Sequence, residues 1–217
     1  MSLYSDTYEY LNPSQNKYGN LELETYSSTQ VVTTAELKSQ LRIDSSTEDT
    51  LLATYISAAT MMAENYCNRH FINADYKLWF NEMPSKFSLY YPDCTIDADP
   101  GGGATAQGAY RLTATGLYSV MGYDHWYCNF NSNPNTITFN DSVPESPIAI
   151  TSLGGTDNQR YYFTFTTGFG TAASDVPDAI KQAIKLIAGD MYYFREDRKR
   201  AFPMASEILL QPYKCYL

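Results

Sequence analysis

The residues of this 217-residue chain best suited to catalysis or metal binding are two histidines, four cysteines and a short run of aspartates. His70 and His125 stand far apart, in segments of different character, and neither has a nucleophile or second base at motif spacing. His70 follows Asn68-Arg69, where closing a helix end is the simpler role. The cysteines at 67, 94, 128 and 215 contain no C-x-x-C, and four in a chain of this length make no disulfide framework; a reducing compartment is expected. Asp93, Asp97 and Asp99 offer oxygen ligands to calcium, but no EF-hand spacing or bidentate glutamate follows, so the loop reads as solvated. A metal-assisted hydrolase on Asp93, Asp97 and His125 is the residual enzymatic alternative.

Gly168-Phe169-Gly170-Thr171-Ala172-Ala173 fits G-x-G-x-x-A after a strand. The next helix starts only at Pro177, however, so its amides could not meet a pyrophosphate held by those glycines. Asp190 lies inside that helix, and too little chain remains for a second βαβ unit. The segment reads as a strand-to-helix turn. The chain is therefore expected not to be an enzyme, with no catalytic, cofactor-binding or metal-ligating residue and no cofactor.

The elements around these residues follow from pattern. Thr33-Thr34-Ala35-Glu36 is a capping box, with Val32 and Leu37 at the staple positions, and predicts a short helix to about Ile43. A second helix spans about Glu48 to Cys67, with Leu52, Tyr55, Ile56, Ala59, Met62, Ala63 and Tyr66 on one face and Asn68 as a left-handed terminator. A third begins at Pro177 and carries Ile180, Ala183, Ile184, Ile187, Ala188, Met191 and Phe194. Between them, 76–80, 87–91, 135–139, 148–150 and 160–165 read as short strands separated by turn clusters. The expected fold is α+β: an antiparallel helical bundle, two long helices plus a short N-terminal one, with an inserted antiparallel β domain and extended terminal segments. Its parts are an arm at 1–32, the bundle's first part at 33–72, the β domain at 73–166, the bundle's second part at 167–200 and a C-terminal docking tail at 201–217.

Composition agrees with a folded, β-rich chain: 44% hydrophobic, 18% charged, with 20 tyrosines and 10 phenylalanines. The net charge is −9, and only 166–217 is net positive, with 7 bases against 6 acids. Gripping nucleic acid through phosphate neutralisation needs far more positive charge, so DNA binding as the main task is not expected. The N-terminal Met-Ser-Leu-Tyr-Ser-Asp has no basic or apolar region, so no signal peptide is expected. No apolar run approaches the roughly 20 residues that span a bilayer.

Three ordered stretches resemble a known family. Thr33 to Asp44, then Glu48-Asp49-Thr50-Leu51-Leu52 and Tyr55-Ile56-Ser57-Ala58-Ala59, is similar to the N-terminal signature of tailed-phage head-to-tail connector proteins, also called neck adaptor or head-completion proteins. Phe163 to Gly170, Val176 to Ile184 and Tyr193-Phe194-Arg195-Glu196 agree, as does the closing Leu209-Leu210-Gln211-Pro212-Tyr213-Lys214. Asn68 stands where the family usually has glycine before arginine, a mild change because asparagine tolerates the left-handed region. The resemblance implies a structural virion protein of the neck, assembled in the host cytoplasm, in a ring of about twelve copies under the portal. That ring would continue the DNA channel without sequence-specific binding, with the portal and the tail or a second neck protein as partners and no membrane. An acidic subunit suits such a conduit, since a lumen that neutralises phosphates would act as a brake.

Two contact regions are expected. Arg195, Arg198, Lys199 and Arg200, followed by Ile208, Leu209, Leu210, Pro212 and Tyr213, form a portal or subunit interface; the alternative is a solvated helix end with the tail folded onto its own bundle. On the first reading, loss of 205–217 leaves the monomer folded. Tyr4, Tyr8, Tyr10, Tyr18 and Tyr26 mark an arm that crosses to a neighbour, or else a floppy tail. The competing function is a virion binding module whose tyrosine-rich β domain recognises a glycan or receptor.

Overall fold

A computed structural model of the chain describes residues 18–80, 84–89, 94–96, 108–112, 118–121, 125–129, 135–140, 161–195 and 204–215. The fold divides into two compact units. One is helical, Ser27–Asn73 with Gly168–Tyr216; the other is built on Ala74–Thr167 together with the N-terminal segment through Tyr26.

In the helical unit, α1 (Thr34–Leu41) opens on the expected box: the Glu36 amide donates to Thr33 Oγ1 at 3.2 Å and the Thr33 amide to Glu36 Oε2 at 2.7 Å. Val32 and Leu37 are both fully buried beneath it. Helix α2 (Asp49–Cys67) buries Leu52, Ile56, Ala59, Ala63 and Cys67, and stops at Asn68, whose φ of 53° is left-handed. Helix α3 (Asp178–Tyr193) buries Ile180, Ala183, Ile184, Ile187 and Ala188. Its isoleucines, each contributing about 1.5–3 kcal/mol on burial, share one core with the stripe of α2. Pro177 sits just before the first helical residue rather than at it; its missing amide is harmless at either position.

The segment after Pro203 differs from the expected docking tail. Met204–Leu210 forms a helix, α4, continued by a 3-10 turn at Gln211–Tyr213. Leu210 is fully buried in the core of the helical unit. The Cys215 amide donates to the Cys67 carbonyl at 2.8 Å, and Asn68 Nδ2 to the Cys215 carbonyl at 3.1 Å. The tail therefore folds onto its own bundle, because an apolar leucine gains more there than in water. Its removal is expected to cost the monomer stability, because loss of Leu210 would leave a cavity in that core.

The β unit holds two antiparallel sheets. The larger runs β1-β2-β8-β4-β5, with β1 at Tyr18–Tyr26, β2 at Ala74–Phe80, β8 at Tyr161–Thr167, β4 at Gly108–Leu112 and β5 at Tyr118–Val120. The smaller runs β3-β7-β6: Lys86–Ser88, Thr136–Phe139 and Trp126–Asn129. Burial alternates along β2, with Ala74, Tyr76, Leu78 and Phe80 inward. The two sheets meet through aromatic rings, Phe163 of β8 lying 5.3 Å from Trp126 and 5.5 Å from Phe87 between centroids.

Within the arm expected at 1–32, residues 18–26 form a strand of this chain's own sheet. Residues 18–26 pair with β2 of the same chain, Tyr18 opposite Phe80 and Tyr26 opposite Ala74. Thr25 Oγ1 donates to the Asp75 carboxylate and Lys77 pairs with Glu24 at 2.8 Å, so the polar side chains of this segment find partners across the ladder. Of the expected strands, 148–150 and Tyr90-Tyr91 lie outside the described residues, as do Tyr4, Tyr8 and Tyr10.

Two substitutions test this packing. Leu210→Ala should lower the urea midpoint by the equivalent of about 2–5 kcal/mol, whereas the surface change Gln211→Ala should leave it near wild type. At Gly168, φ is 132° and an added Cβ would lie 2.8 Å from backbone atoms of Ile72 and Asn73. Gly168→Ala should therefore cost about 1–3 kcal/mol in the same measurement.

Candidate docking surface

The expected interface residues fall into three groups in the structure. Arg195 is an exposed side chain at the end of α3, and its Nη2 donates to Glu48 Oε1 at 2.7 Å. The Tyr192 hydroxyl donates to the other oxygen of the same carboxylate at 2.7 Å, and the Arg195 guanidinium lies over the Tyr192 ring at 5.2 Å. The first cation of the basic run thus clamps the end of α3 to the residue that caps α2. Arg198, Lys199 and Arg200 lie outside the described residues.

The apolar anchors separate by exposure. Leu210 is buried, Leu209 half-buried, and Tyr213 half-buried with its ring edge-on to Phe169 at 6.1 Å. Ile208 is 64% exposed and Pro212 is exposed. The sequence stripe assigned Phe194 to the buried face of α3; it is 52% exposed, and its neighbour Tyr193 is 63% exposed. Helix α3 has ended by Phe194, whose φ of −124° takes it off the stripe. Met61 on α2 is a further exposed apolar side chain. Periodicity assigns faces only while the helix continues: Tyr193, the last helical residue, lies off the apolar stripe, whereas Phe194, just past the end, was misassigned to it.

The residues with chemical potential are engaged locally. His70 Nδ1 lies 3.3 Å from Glu64 Oε2, and Glu64 Oε1 accepts the Phe71 amide at 2.8 Å. Glu64 is buried and closes the turn after α2, a role that the apolar stripe of that helix did not reveal. Arg69 stacks on the Phe169 ring at 4.1 Å. In the glycine-rich turn, Phe169 donates its amide to the Phe71 carbonyl at 3.0 Å, Asn73 donates to Gly170 O at 2.9 Å, and Ala172 donates to Asp175 Oδ2 at 3.0 Å. The first two bonds tie the turn to the segment that follows α2, and the third is internal to the turn. Asp93, Asp97 and Asp99 lie outside the described residues. Among the described residues, no group of three or more His, Cys, Asp or Glu is placed to hold a metal ion, and no helix is long and apolar enough to cross a membrane.

What these features define as a class is a helical bundle whose last segment packs back on itself, carrying an inserted aromatic β-sandwich. Residues 32–90 match the family of phage gp6-like head-tail connector proteins. The resemblance seen in the sequence is thereby borne out over α1, α2 and the first strands that follow. None of the curated proteins matches. Among solved structures, the fold is similar to a chain in the neck of an empty gene transfer agent particle computed with C6 symmetry. That chain has 21% identity and a TM-score of 0.66, over 91% of this chain and 96% of the other. A chain in the virion of a native gene transfer agent particle aligns over the same shares at 21% identity and TM-score 0.63. So does one in the neck of a native particle computed with C12 symmetry, at 20% and 0.60. These likenesses establish the α+β fold over nearly the whole chain.

The Glu48 clamp has a pH signature. Hydrogen bonds from Arg195 first and Tyr192 second hold its carboxyl below the ordinary value of 4.5. Glu36 is held below the same value, chiefly by the Thr33 amide. A carboxyl depressed in the folded state stabilises above its ordinary value, and that contribution is lost as pH falls through the folded one. Glu48→Gln should therefore unfold at lower urea than wild type at neutral pH, and the two midpoints should converge in acid below 4.5.

Proposed function

We propose that this chain is a structural, non-catalytic subunit of a virion neck, joining a portal to the tail or to a second neck protein. The observation that carries the reading is a coincidence of two independent likenesses. A connector-family segment at 32–90 sits inside a fold that resembles neck chains over 91% of its length. Copies assemble as a ring of about twelve, a closed heterologous arrangement in which one flank of each subunit fits the opposite flank of the next. The neck computed with C12 symmetry supports that number.

The net charge of −9 suits a channel through which DNA slides without being held. The docking residues on this reading are the exposed ones: Ile208 and Pro212 with Tyr193 and Phe194, beside the basic run that begins at Arg195. Leu210 acts indirectly, by seating α4.

The glycan-binding alternative would need free aromatic faces on the β unit. On the outward side of the larger sheet, Tyr162 stacks on Tyr110 at 4.5 Å and meets Trp79 at 5.1 Å, while the Lys77 ammonium lies 5.1 Å from its centroid. These rings are engaged with one another, which favours the structural reading; among the described residues, the exposed ring on the smaller sheet is Tyr127 of β6, 59% exposed.

Native mass spectrometry of the full chain with a purified portal ring tests the proposal. The expected species is one portal ring carrying about twelve copies, and Ile208→Asp, a change at a solvent-facing position, should deplete it while the free subunit stays folded. A chain that remains unbound at every ratio, with wild-type thermal stability, would overturn it.

A further inference from the structure

Two of the cysteines lie at one place in the helical unit. Cys67 is the last residue of α2 and fully buried; Cys215 follows the 3-10 turn after α4 and is 8% exposed. Both are reduced in this structure. The 2.8 Å bond from the Cys215 amide to the Cys67 carbonyl fixes their backbones. Adding the Cα–N and Cα···O spans leaves the two Cα atoms at most about 6.7 Å apart. A disulfide needs roughly 4.4–6.8 Å. Cys67 Sγ rests 3.8 Å from the Leu210 carbonyl and Cys215 Sγ 3.9 Å from that of Tyr213, so side-chain rotation has to bring them together. The remaining pair, Cys94 and Cys128, belongs to the β unit.

We propose that Cys67 and Cys215 are a disulfide-forming pair that fastens the C-terminal segment to the end of α2 when the protein meets a low-molecular-weight disulfide. The thiolate of Cys215, nearer the surface, attacks one sulfur of that oxidant and releases one small thiolate. The Cys67 thiolate then attacks Cys215 Sγ and releases the second. Two protein thiols lose two protons and two electrons, and the oxidant leaves as two small thiols. Burial pushes the Cys67 thiol up to about 12, opposed by the nearby Arg69 and Lys214 and reinforced by Cys215 and Glu64. The second step is therefore slow at neutral pH and speeds up as pH rises. The bond closes the loop from 67 to 215 and holds α4 down, opposing the local opening by which its residues become accessible.

The experiment uses the full chain with oxidised glutathione under native conditions, followed by alkylation, digestion and mass spectrometry. The expected product is a Cys67–Cys215 linked peptide, and proteolysis within Met204–Lys214 should slow by about tenfold. Cys215→Ser should show neither effect, and Cys128→Ser should show both. Mixed disulfides without the linked peptide, a different protein pairing, or a linked product with unchanged proteolysis would each overturn the proposal. The neck assignment does not depend on this bond, because the portal experiment is done with the reduced protein.

Discussion

The fold depends on α2 and α3 reaching each other across more than a hundred intervening residues. Their contact is close because small side chains lie among the large ones: Ala59 and Ala63 on α2, Ala183 and Ala188 on α3, all fully buried with Ile56, Ile180 and Ile184. Such packing tolerates neither cavities nor added bulk. Loop closure opposes the encounter, although its cost grows only with the logarithm of loop length. The intervening chain reduces it further. Strand β2 pairs with β8 from Ala74 opposite Thr167 to Phe80 opposite Tyr161, so the insertion's two ends are held side by side within its own sheet. On the helical side, Phe71 and Asn73 are hydrogen-bonded to Phe169 and Gly170. Once those bonds exist, α2 and α3 are joined by an effective connection through 68–71 and 169–177, far shorter than the intervening chain.

The helical half was legible in the sequence because its signals are local. Thr33 with Glu36, Asn68 and Pro177 mark helix ends by the chemistry of the backbone groups they satisfy or lack, and each lies within one residue of the observed boundary. The strands at 76–80, 136–139 and 161–165 showed through their aromatic and β-branched residues. Strand β1 did not. Its Glu22, Glu24 and Thr25 read as polar coil, and only pairing with Lys77, Trp79 and Asp75 across the ladder makes them compatible with a sheet. Helix α4 was hidden for a different reason. A helix of seven residues between Pro203 and Pro212 has no room to display a period, and it is held by Leu210 meeting a core formed elsewhere in the chain.

The proposed interface was less legible than the fold. A run of cations after a helix looks like a docking patch, yet Arg195 is bonded to Glu48, a residue 147 positions earlier. An apolar tail looks like an anchor, yet Leu210 is an internal residue. Sequence pattern reports that a side chain needs a partner, and three-dimensional closure decides whether that partner belongs to the same chain. What is exposed, Tyr193, Phe194 and Ile208, includes Phe194 at the point where helical periodicity ceases to assign a face.

The aromatic richness of the chain also has a structural cause that bears on function. The core of the β unit is built from Tyr76, Phe80, Phe87, Trp126, Phe139, Tyr161, Phe163 and Phe165, whereas the helical core is mainly aliphatic and alanine-rich. Apart from the nine-residue β1, strands of three to seven residues bury little area per element, and wide rings compensate by spanning the gap between two small sheets. Edge-to-face and stacked pairs then fix their relative orientation, as at Phe163 with Trp126 and Phe87 with Phe139. Aromatic residues that would suggest sugar recognition by count alone are thus required for a small sandwich to hold its shape. A unit made rigid in this way suits a part that keeps its form within an assembly.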